Sequence, residues 1–271
     1  MRFCLAIMAF FLLPGQSLLA ASFANHLAVY DVHLKRADAS SGIADISGRM
    51  VMELSGSACE GWLVGFRMVN RYVGSEEGDP VHQIDLQSTS WESGDGREME
   101  YTERALVNNE PDHDVHFSAV RQGEAGPIFV EGGPDAARVE LPGEVIFPMA
   151  HQARLLEAAK AGHKVDQSLV YDGSDGFQYF KVVTFIGAPE TGIAGPGQEG
   201  QALKAMRSWS MVISYYDSEK PNEGEALPLH QIMMRIYENG IAGDLTLDYG
   251  DLEMAGKFTQ VELSPASANC P

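Results

Sequence analysis

The dominant period along this chain is two. Tyr30, Val32 and Leu34 share one face against Asp31, His33 and Lys35, and Met50, Met52 and Leu54 share another against Val51 and Glu53. That is the alternation of strands with one face turned inward. Trp62, Val64, Phe66 and Met68 repeat it, then Val115, Phe117 and Ala119, then Trp209, Met211, Ile213 and Tyr215. Ile232, Met234 and Ile236, followed by Leu245, Leu247 and Tyr249, close the series. Turn residues fall between these runs at Gly94-Asp95-Gly96, Gly132-Gly133-Pro134, Asp172-Gly173-Ser174-Asp175-Gly176 and Asn239-Gly240, as hairpin connections require. The spacing predicts about a dozen or more strands, the last over Lys257 to Leu263.

One segment breaks the period. Phe147 to Gly162 is rich in Ala and Leu, has Pro148 where a helix can begin and ends in a glycine suited to a C-cap. It predicts a helix at about 148–161 with Leu155, Leu156 and Ala159 on the buried side. The predicted fold is therefore dominated by β structure: one long, curved antiparallel sheet, a β-spiral or partly open barrel, with a single α-helix packed on it. A sheet of so many strands must curl to hide its edges. No linker divides residues 25–271, which read as one domain.

The N-terminus changes the picture. Arg2 precedes an apolar run from Phe3 to Leu13 and a breaker at Pro14-Gly15, the layout of a secretory signal peptide. The run is about half of what a bilayer-spanning helix needs, so no stable membrane anchor is expected. Ser22 and Ala24 supply the small residues that a signal peptidase reads, which places the predicted leader at 1–24 and the mature protein in the periplasm. Cys4 leaves with the leader. In an oxidising compartment the remaining cysteines, Cys59 and Cys270, are expected to form a disulfide. Closing a loop of about 210 residues restrains the unfolded chain by roughly 5 kcal/mol in the chain-entropy model. A redox-active pair is the rival reading, but there is no C-x-x-C.

Charge narrows the partners. With 38 acidic and 19 basic side chains the formal net charge is −19. Such a field repels nucleic acid and anionic membrane surfaces, and leaves neutral, apolar or basic partners.

Several patterns invite a catalytic or cofactor reading, and each has a plainer one. Gly195-Pro196-Gly197-Gln198-Glu199-Gly200 satisfies G-x-G-x-x-G, but it lies in an antiparallel setting without a βαβ unit and reads as a flexible loop. His113 and His116, with Asp112 and Asp114, point to opposite faces if extended and read as an acidic turn entering a strand. Asp172, Ser174 and Asp175 lack the spacing and closing glutamate of a calcium loop. His151 has no partnered nucleophile, and no Gly-x-Ser-x-Gly elbow occurs. No catalytic residue, metal site or cofactor is predicted.

Four stretches carry a family resemblance: Gly56-Ser57-Ala58-Cys59-Glu60-Gly61-Trp62, Ala28-Val29-Tyr30-Asp31, the Phe147-Pro148 helix start with His151, and Val170 through Gly176. Together they resemble the EipB-like periplasmic cell-envelope integrity proteins, a domain of unknown function. The resemblance spans nearly the whole mature chain. It implies a spiral β-sheet with a helix in its bend, a disulfide between an early and a C-terminal cysteine that Cys59 and Cys270 match, and a role in envelope integrity. Its fold is similar to that of periplasmic lipoprotein carriers, a link of fold and not of function. The leading expectation is a non-catalytic, monomeric scaffold that binds another periplasmic protein. The alternative is a carrier of lipid or lipoprotein acyl chains, with Ile232, Met233, Met234, Ile236 and the Trp209 to Tyr215 strand as soft contacts. An enzyme acting on an envelope polymer comes third.

Overall fold

Alternating faces need a common interior, and the strands find it by pairing in one continuous sheet. The computed structural model describes residues 23–219 and 227–265. Nine strands come first: β1 (His26–Ala37), β2 (Ile43–Ser57), β3 (Gly61–Gly74), β4 (Val81–Glu92), β5 (Glu98–Val107), β6 (Glu110–Arg121), β7 (Ile128–Gly132), β8 (Ala137–Leu141) and β9 (Val145–Ile146). Helix α1 (Pro148–Lys160) follows at the predicted place. Then come β10 (Val165–Val170), β11 (Phe180–Glu190), a short helix α2 (Gly197–Gly200), β12 (Ser208–Asp217), β13 (His230–Tyr237), β14 (Ala242–Asp248) and β15 (Leu252–Leu263).

All fifteen strands belong to one sheet, in the order β8-β7-β6-β5-β4-β3-β2-β1-β15-β14-β13-β12-β11-β10-β9. Neighbours are antiparallel except β9, which lies parallel to β10. β1 sits in the middle, His26 facing Leu54 of β2 on one side and Leu263 of β15 on the other. The two edge strands, β8 and β9, are consecutive in the chain and separated only by residues 142–144. The sheet therefore coils until its edges come near each other, a nearly closed, barrel-like spiral. Arg121, at the end of β6, holds that seam. Its guanidinium donates to the carbonyl oxygens of Gly143 and Val145 at 2.6 Å and of Gly126 at 3.3 Å.

Three clusters of buried side chains fill the interior. One joins α1, through Met149, Leu155, Leu156, Ala158 and Ala159, to β10–β13 and to Leu54 and Trp62. A second centres on Tyr30, Met50, Tyr237 and Phe258. The third, with Met99, Phe117, Val130, Phe147 and Tyr171, packs the chain around β9 against β5–β7 and backs the seam. The body begins ahead of the expected leader boundary. Phe23 is buried edge-on against Trp62, ring centroids 5.2 Å apart, and the Ala24 N–H donates to the Asn239 carbonyl. A cut after Ala24 would strip that aromatic from the core.

Two local expectations are corrected. The glycine-rich segment at 195–200 is an ordered turn: the Gly195 N–H donates to the Gly200 carbonyl, and α2 runs into a 3-10 turn, Gln201–Ala205, whose Leu203 is fully buried. A Cβ on Gly200 would lie 2.3 Å from the Gly195 carbonyl carbon, so close backbone approach explains that glycine. His113 and His116 stand within β6 and not in a turn entering it. Glu103 and Asp112 flank His113 at 2.9 and 3.0 Å, and Glu100 meets His116 at 2.8 Å. Among the described residues no group of three or more His, Cys, Asp or Glu is placed to hold a metal, and no helix is long and apolar enough to cross a membrane.

Candidate functional site

Helix α1 does not fill the bend of the sheet completely. Between its inner side and the inward faces of β2, β3 and β12–β14 lies a cavity of about 250 Å³. Strand alternation supplies its apolar wall: Met52 and Leu54 from β2, Val64 from β3, Ile213 and Tyr215 from β12, Met234 and Ile236 from β13. The helix contributes Met149, His151, Gln152 and Leu155. Of the soft contacts expected from sequence, Met234, Ile236, Ile213 and Tyr215 come together here. Ile232 packs beside them, whereas Met233 points into a groove on the other side of the sheet. Trp209 is buried in the same cluster but does not line the cavity.

Polar groups at the cavity are few and mostly occupied. Gln152 donates to the Gly240 carbonyl at 2.8 Å, and His26 Nδ1 lies 2.7 Å from the Ala24 carbonyl oxygen. Asp172, in the turn after β10, accepts from the backbone N–H and hydroxyl of Ser174 at 2.9 and 2.7 Å, a side-chain turn that needs no ion. Desolvation raises its pKa. Tyr215 stacks on His230, centroids 4.4 Å apart, and burial lowers the His230 pKa. His151 differs: it is 5% exposed, and its Nε2 has no hydrogen-bond partner. Burial, with Arg154 adding to it against the opposing field of Asp166, pushes His151 down to about 4, so the ring is neutral at physiological pH.

The helix itself is held by a residue that sequence reasoning missed. Its N-cap is Phe147, which offers no capping side chain. Instead both carboxyl oxygens of Glu92, at the end of β4, accept the Met149 N–H at 3.0 Å. Glu92 is 1% exposed. Desolvation outweighs the backbone hydrogen bonds and pushes its pKa up to about 8. The clue was available: a helix starting at Phe-Pro leaves orphan N–H groups that some other element must satisfy.

Cys59 lies in the turn between β2 and β3, closed by Gly61 at φ +85°. A Cβ on Gly61 would meet the Glu92 carbonyl at 2.6 Å and the Trp91 indole at 2.7 Å. Its expected partner, Cys270, lies outside the described residues, as do residues 1–22 of the expected leader.

A single coiled sheet with its seam pinned and an apolar interior under one helix defines a class, the barrel-like β-spiral. The chain belongs to the EipB-like family, whose model matches residues 18–265. It is 32% identical over 254 residues to the cell envelope integrity protein EipB of Brucella abortus (strain 2308), covering 92% of this chain and 88% of that one. The crystal structure of a β-barrel-like protein of domain of unknown function DUF1849 from Brucella abortus superposes with a TM-score of 0.82 at 31% identity, covering 91% of this chain and 100% of that one.

Proposed function

We propose that this protein is an exported, non-catalytic factor of the periplasm that sustains the cell envelope by holding the apolar tail of a lipid or acylated protein in the cavity beneath α1. The observation that carries this reading is the cavity itself, walled by Met, Leu, Ile and Val with few polar groups among them. Natural ligand sites have this composition, a mostly apolar wall with a few placed polar groups. The role in the envelope follows the name of the relative from Brucella abortus. The reading includes no catalytic step. The buried acid Glu92 is engaged by the helix N-terminus and Asp172 by its own turn, so neither stands beside a nucleophile or a metal set.

The net charge of −19 favours a second reading, a scaffold whose acidic exterior meets a periplasmic protein with a basic face. Native mass spectrometry of protein purified from the periplasm separates the two. A bound mass of a few hundred daltons that denaturation releases as lipid or acylated peptide supports the carrier. A bare protein that captures a defined partner supports the scaffold. The denatured mass also locates the mature N-terminus relative to Phe23.

A further inference from the structure

Asp172 is an acid without an opposite charge beside it. It lines the cavity beneath α1, and among the described residues around that cavity none is Lys or Arg. The histidines there do not compensate it, because burial lowers the pKa of both His26 and His151 and keeps them neutral. Both hydrogen bonds that Asp172 accepts, from the N–H and hydroxyl of Ser174, fall on Oδ1, and among the described residues none reaches Oδ2. Its raised pKa is the response of a carboxyl group taken from water with no cation at hand. An acid so placed gains by taking up a positive charge.

Aromatic rings stand next to it. Tyr215 lines the same cavity and lies within reach of the Asp172 charge. From Tyr215 a row of rings leads to the surface: Tyr215 stacks on His230, and the His230 ring is 6.0 Å from that of Tyr249, which is 45% exposed. The faces of tyrosine rings carry negative potential and attract an ammonium group within ~6 Å, more strongly where water is partly excluded. A quaternary ammonium donates no hydrogen bond, so one carboxylate and ring faces are all that it requires. The cavity is partly open to solvent, which leaves room for a head group at its rim while an attached chain meets the apolar wall.

We infer that the cavity takes an amphiphile with a quaternary ammonium head, its chain against Met52, Leu54, Val64 and Ile213 and its cation against Asp172 and the ring of Tyr215. This rests on the carrier reading, and calorimetric titration distinguishes failure of the one from failure of the other. The full mature chain is titrated at about pH 8 and constant salt with octyltrimethylammonium and with octanol, which share a chain and differ in the head. The cation is expected to bind about tenfold more tightly. Asp172→Asn keeps an Oδ1 acceptor for the Ser174 turn, and so the fold, and should weaken the cation by about tenfold while leaving octanol unchanged. Tyr215→Leu keeps an apolar wall and should narrow the preference for the cation by about threefold. Glu124→Gln makes the same charge change on an exposed turn between β6 and β7 and should leave both probes unchanged, which separates the site from the general field of a chain with net charge −19. Octanol binding as tightly as the cation, a preference that survives Asp172→Asn or Tyr215→Leu, or an equal loss in Glu124→Gln overturns the inference while leaving the cavity as a lipid site. If neither probe binds, the carrier reading itself fails and the inference with it.

Discussion

Glu92 shows how much one side chain on a strand can decide about a helix far away in sequence. Its carboxyl group is buried against the first turn of α1, where the macrodipole and the Met149 N–H favour negative charge, but the loss of water is the larger effect. The direction of the pH dependence follows. A carboxyl raised from 4.5 to about 8 on folding binds more protons in the folded than in the unfolded state between those values, so its contribution to stability declines as pH rises through that window. Glu92→Gln keeps an acceptor and cannot ionise. We expect its melting temperature to match the parent near pH 5 and to exceed it increasingly up to pH 9, as the stability difference grows to on the order of 5 kcal/mol at full ionisation, at ~1.4 kcal/mol per unit. Thermal melts of both proteins at pH 5, 7 and 9 check this, and parallel curves would mean that the carboxyl titrates normally.

Most strands were legible because antiparallel pairing leaves each with one inward face. Trp62, Val64, Phe66 and Met68 of β3 all face the clusters that the alternation implied. The helix was legible for the same reason, a different period framed by Pro148 and Gly162. That the sheet curls was legible too, but the place where its edges meet was not. β9 is only two residues long, too short to show any period, and Arg121 reads in sequence as an ordinary surface cation at a strand end. Nor could alternation show that the bend would leave a cavity, since an inward residue looks the same whether or not its neighbour fills the space. The seam makes its own prediction. Arg121→Met keeps much of the side-chain stem and leaves the Gly143 and Val145 carbonyls without their charged donor, which should cost about 2–3 kcal/mol. Hydrogen exchange should accelerate first at residues 141–146, with β1, β2 and β3 unaffected. Acceleration spread evenly over the sheet would show that Arg121 supports the whole fold and not the seam.

At the scale of the whole molecule, β2 and β15 flank β1 and run in the same direction, so the chain leaves β15 at the end of the sheet where Cys59 sits. Ser264 and Pro265 are tied there to Asn25, by a backbone hydrogen bond of 2.9 Å and a side-chain one of 3.3 Å. Two strand spacings of ~4.8 Å separate the β2 and β15 lines, and five further residues span up to ~17 Å, enough for Cys270 to reach Cys59. We expect Cys59→Ser to lower stability by about 2–5 kcal/mol. Melts with and without reductant test it, and a parent protein indifferent to reductant would defeat the proposed bond. The pairing of β1 with β15 has a consequence in time as well as in space. As the chain emerges to fold, β1 can zip to β2 at once, and β3 to β8 can follow as hairpins, but its other edge stays open until a segment more than two hundred residues later has followed. Until then a largely apolar strand is an unpaired template for another chain. The interval between the emergence of the two strands sets how long that edge stays open.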